Sequence, residues 1–79
     1  MDNSGKYAKA FTESFGVKED GLDGLEYQGI TSWDSVGHMG LISRLEEAFD
    51  IMFDSEDIID FSSFKKGKEI LSTKYGVSF

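Results

Sequence analysis

The sequence predicts an all-α fold, a small bundle of amphipathic helices. Two spacings carry that expectation. Tyr7, Phe11 and Phe15 recur at i, i+4 and i+8, and Val36, Met39, Ile42, Leu45 and Phe49 advance by three or four. Both are the period of a helix with one apolar face. The third observation is negative: no run alternates apolar and polar residues for more than a few positions, so strand signals are weak.

Bulk composition narrows the possibilities. Seventy-nine residues make one domain, residues 1–79, with a thin core. There is no cysteine, so neither a disulfide nor a thiolate-bound metal can staple it. A hydrophobic fraction of 39% argues for a packed core over disorder, and the Phe, Tyr and Trp residues must supply much of its buried area. Fifteen acids against eight bases leave a net charge of −7. That disfavours nucleic acid, whose phosphates need a basic face, and suits docking to basic partner surfaces. No apolar run is long enough to span a membrane, and MDNSGKYAKAF has no signal-peptide core. The expectation is a cytoplasmic monomer.

The first helix is expected over roughly residues 4–15. Asp2, Asn3 and Ser4 offer capping oxygens, and Gly16 suits a left-handed end. Residues 16–33 are irregular, broken by Gly21, Gly24 and Gly29. Yet Val17, Leu22, Leu25, Tyr27, Ile30 and Trp33 are apolar, so this loop must lie over the core. It has room for one short helical turn near Lys18–Leu22. The second helix begins near Asp34 or Ser35, with Asp34 a good N-cap, and has the strongest helical period in the chain. Gly37 and Gly40 lie in its first turns. They read equally well as close packing against the loop and as clearance for a partner or an attached group. One or two helical turns follow around Ile58, Ile59 and Phe61. Ser62 or Ser63 caps a last helix that Gly76 ends.

The chemistry gathers at Asp34-Ser35. A serine in the first turn of a helix is exposed, and a phosphoryl group on its oxygen would lie near free amides and the positive end of the helix dipole. Alone, Asp-Ser at a helix start reads as a plain cap. The surrounding residues extend the signal. Asp34-Ser35-Val36, then Leu41 and Leu45-Glu46-Glu47-Ala48-Phe49, resembles the acyl carrier protein family, marked by Asp-Ser-Leu ahead of a helix ending Leu-Glu-Glu-x-Phe. Ser62-Ser63-Phe64 stands where that family has its last cap, and Phe15-Gly16-Val17 looks like the close of its first helix.

The resemblance implies a small four-helix bundle of three main helices plus a short third helix, with a long first loop. It implies that a phosphopantetheinyl transferase, assisted by magnesium, attaches 4′-phosphopantetheine from coenzyme A to Ser35. Asp34 would help in that encounter. Acyl- or aminoacyl-loading and transferring enzymes would dock on the second helix through Val36, His38, Met39, Glu46, Glu47 and the neighbouring Asp50. The chain would be a carrier, with no catalytic residue and no metal site of its own. Val36 replaces the usual leucine, and Gly37, His38, Gly40 and Arg44 make the docking face less acidic than in fatty-acid carriers. That leans towards a stand-alone carrier of a specialised pathway.

Three other readings compete with the carrier. Asp34, Ser35 and His38 have the residue types of a hydrolase, but neighbours on one helix rarely form a relay, and there is no nucleophile elbow. His38 reads instead as a solvent-facing or packing residue that tunes partner contact. Asp50, Asp54, Glu56, Asp57 and Asp60 lack the order and the glycine of a calcium loop, and read as a solvated acidic face. The alternative to a carrier is an unmodified acidic helical interaction module with the same fold.

Overall fold

The computed structural model describes residues 2–79. Four helices follow one another: α1 (Asn3–Phe15), α2 (Ser35–Phe49), α3 (Ser55–Asp60) and α4 (Phe64–Lys74). They make a small all-α bundle with no strand among the described residues.

Local chemistry sets the helix ends. The Asp2 carboxylate accepts from the Gly5 amide at 2.7 Å, and Gly16, at φ 67°, closes α1 by donating to the Thr12 carbonyl. Ser63 caps α4 by accepting from the Lys66 amide. Asp50 takes the left-handed conformation that ends α2. Tyr7, Ala10, Phe11 and Phe15 form the buried face of α1. Tyr7 meets Phe64 of α4 edge-on at 4.8 Å, and Phe11 meets the same ring at a tilt, at 4.9 Å. The Tyr7 hydroxyl donates to the Phe64 carbonyl. Burial pushes its ionisation far above the usual phenol range, so the group stays a donor.

The loop from Gly16 to Trp33 lies over the core as expected. Leu22, Leu25 and Trp33 are buried, Val17 and Ile30 are half-buried, and Tyr27 is at the surface. Its short helical turn is a 3-10 turn at Glu19–Gly21. Two hydrogen bonds pin the loop to the start of α4: the Tyr27 amide donates to Ser62 and the Phe64 amide to Leu25, both at 2.9 Å. Trp33 is enclosed, stacked on Phe15 at 5.2 Å and edge-on to Phe11 at 5.5 Å.

The apolar stripe on α2 differs from the one the spacing suggested. His38, Leu41, Ile42 and Leu45 face inward, Phe49 is half-buried, and Val36 and Met39 are 82% and 49% exposed. The reason is helical drift. Each step of three residues falls about 60° short of a full turn. Val36 to Met39 to Ile42 to Leu45 therefore walks halfway round the helix, and only its second half reaches the core.

The two glycines of α2 have separate roles. A Cβ on Gly37 would collide with the Ser32 carbonyl and sit 3.2 Å from the Phe15 ring, so this glycine lets the loop close on the helix. A Cβ on Gly40 would meet nothing within 4 Å. Gly37→Ala is therefore expected to cost about 1–3 kcal/mol through overpacking. Gly40→Ala should stabilise by up to about 1 kcal/mol through helix propensity. Urea midpoints that move the same way in both variants would contradict this difference.

Asp57 corrects the expectation of a solvated acidic face. Its side chain is buried at the α3–α4 junction. One oxygen accepts from Lys74 and the other from the Tyr75 hydroxyl, each at 2.6 Å, and that hydroxyl accepts from the Asp54 amide at 2.9 Å. The Lys74 hydrogen bond, then that of Tyr75, holds the Asp57 carboxyl below its usual range, and burial opposes them. A depressed carboxylate contributes stability above the unfolded-state range and loses it as pH falls through the folded value. Urea stability measured from about pH 5 down to about pH 2 should fall less steeply in Asp57→Asn than in the parent. Parallel curves would remove Asp57 from the acid response.

Candidate functional site at the start of helix α2

Ser35 is the first residue of α2 and is exposed. Asp34 is the N-cap, its carboxylate accepting from the Gly37 amide at 2.8 Å. The His38 amide donates to the Asp34 carbonyl, which begins the helical ladder. Among the described residues no acceptor meets the amides of Ser35 and Val36. The serine hydroxyl thus stands at a helix start with two unpaired donors beside it, where the dipole favours negative charge.

A groove of about 340 Å³ opens next to Ser35, between α2 and α3. Met39, Tyr27, Ile58 and Ile59 give it apolar walls, and His38 and Phe61 lie along it. Its outer lip is unusually apolar for a surface, with Ile59 80% exposed.

His38 has its own hydrogen-bond chain. The Trp33 indole nitrogen donates to Nδ1 at 2.9 Å, and Nε2 lies 2.8 Å from the Ile58 carbonyl. An indole nitrogen only donates, so Nδ1 must accept and Nε2 must carry the proton. The ring is therefore one defined neutral tautomer, tied to the loop on one side and to α3 on the other. Both nitrogens are occupied, and neither faces Ser35 as a base.

Comparison with protein families, with curated proteins and with solved structures finds no match.

Of the residues singled out in the sequence, the structure gathers Ser35, His38 and Met39 on one groove, with Asp34 capping the helix above it. Val36 is exposed on the outward face of α2. Of the two settings expected for His38, solvent-facing or packing, it has the second: it is buried, and Trp33 and Ile58 use its polar atoms. Glu46 is half-buried, its carboxylate accepting from the Phe53 amide at 2.9 Å. Glu47 is exposed but lies on another side of α2. It lines a hollow of about 480 Å³ with Lys6, Lys9, Glu13 and Arg44, where Arg44 pairs with Glu13 at 3.4 Å. Tyr27, Ile58 and Ile59 were not foreseen as site residues. For Ile58 and Ile59 the sequence signal was an Ile-Ile pair in a helix too short to bury both, and for Tyr27 its place among the apolar residues of the loop.

Proposed function

We propose that this chain is a carrier protein. It holds acyl or aminoacyl intermediates as thioesters on a 4′-phosphopantetheine arm joined to Ser35, and presents them to partner enzymes of a lipid or specialised biosynthetic pathway. The observation that carries the reading is the exposed Ser35 hydroxyl at the head of α2, beside two unpaired amides and an apolar groove. A phosphodiester on that oxygen fits this setting, because the free amides and the dipole both favour an anion. The arm supplies the thiol that the cysteine-free chain lacks.

The chain's own residues have simple parts to play. Ser35 provides the attachment oxygen. Asp34 holds the helix start open and adds a charge for the transferase to meet. Met39 and Ile59 make an apolar lip against which a partner enzyme can close, Val36 is exposed on the outward face of α2, and the acidic surface speeds the approach of basic partners. Hydrolysis has little support: Asp34 is occupied by the Gly37 amide, and His38 has no nitrogen to offer Ser35. No helix among the described residues is long and apolar enough to cross a membrane, and a cytoplasmic monomer remains part of this proposal.

The same exposed lip also favours the alternative, an unmodified acidic interaction module. Intact mass separates the two. The folded, unmodified protein is incubated with coenzyme A, magnesium and a broad-specificity phosphopantetheinyl transferase. A gain of one phosphopantetheine is expected. No gain with several transferases would favour the module.

A further inference from the structure

The groove beside Ser35 has two buried residues in its wall, His38 and Phe61, whose rings lie 5.9 Å apart, and Trp33 stacks on His38 at 6.1 Å. Trp33 and Phe61 are fully enclosed, and so are Leu41 and Leu45 deeper in the bundle. His38 is held from both sides, by the loop through Trp33 and by α3 through the Ile58 carbonyl. It therefore lies as a bar across the seam between α2 and α3. To pass it, a chain must swing the imidazole aside. That breaks both hydrogen bonds and strands the buried Trp33 indole N–H without a partner, which is costly for a buried polar group. The space outside the bar is modest. At about 340 Å³ it is near the small end of ligand pockets, and the arm must share it.

We propose, building on the carrier reading, that His38 closes the bundle to cargo and that this carrier serves compact acyl or aminoacyl groups. Long acyl chains do not enter the core. The cargo rests on the outer strip formed by Tyr27, Met39, Ile58 and Ile59, open to solvent and to the next enzyme.

The test loads Ser35 with acetyl-phosphopantetheine and, separately, with decanoyl-phosphopantetheine, transferred from the matching acyl-coenzyme A and verified by mass. Thermal melts and methyl NMR spectra are then compared. The two forms should melt together, and the decanoyl chain should shift methyls of Met39, Ile58 and Ile59 while leaving Leu41 and Leu45 in place. A decanoyl form that melts higher by roughly 4–8 °C or more, as burial of its methylenes would produce, with Leu41 and Leu45 shifted, overturns the inference. In His38→Ala the bar is gone, so the decanoyl form should gain that rise over the acetyl form. A folded variant without the rise overturns the role given to His38; if the variant does not fold, the parent's comparison decides. An absent mass gain overturns the carrier reading, and this inference with it, before any melt is run.

Discussion

Ser35→Ala is expected to abolish arm attachment completely while leaving the fold almost unchanged. The attachment bond forms at the serine oxygen, and a methyl group offers nothing to phosphorylate. The fold should tolerate the loss because Ser35 is exposed and makes no side-chain hydrogen bond that holds the helix. The cap belongs to Asp34, whose bond to the Gly37 amide remains. Alanine is also the better helix former. The urea midpoint should therefore correspond to a stability within about 0.5 kcal/mol of the parent, as for surface substitutions in general. Intact mass reads the first half of the prediction and a urea melt the second. A phosphopantetheine gain retained in the variant would move the attachment site elsewhere. A large loss of stability would mean that Ser35 is structural.

The largest stability effect is expected at Trp33. Replacing it with alanine should cost about 3–5 kcal/mol, the usual range for a buried large aromatic. A domain of this size is stable by only about 4–12 kcal/mol, taking roughly 0.05–0.15 kcal/mol per residue. The variant should sit close to unfolding. Trp33 is the point where the loop, α1 and α2 meet: its ring packs against Phe15 and Phe11, and its nitrogen satisfies His38. Val36→Ala, three residues away, should change stability by no more than about 0.5 kcal/mol because that side chain is in water. Urea melts of the pair test whether Trp33 is enclosed while Val36 stands in water. Equal midpoints would contradict that placement.

The helices were largely legible before any coordinates. Asp2, Asp34 and Ser63 sit immediately before helical runs, and each accepts an amide in the way its side chain allows. Gly16 ends α1 because a left-handed residue stops a helix cheaply only where there is no Cβ. The loop was legible for a different reason. Its apolar residues had to be hidden somewhere, and a chain this short has only one core to hide them in. The α2 face was read only in part, since a ladder of three-residue steps drifts off its own face.

Sequence by itself determined the all-α architecture, the capped starts of α1, α2 and α4, the glycine end of α1 and the exposed serine behind an aspartate cap. These follow from local chemistry: periodicity, capping oxygens, and residues that tolerate a left-handed turn. Tertiary structure alone decided the rest. His38 became an internal bar because Trp33 and the Ile58 carbonyl, distant in sequence, converge on its two nitrogens. Asp57 left the acidic surface because Lys74 and Tyr75 arrive from the end of α4. Glu46 bonds to an amide seven residues on. A side chain's type states which bonds it can make, but which partner it meets is settled only when separate segments share one small core.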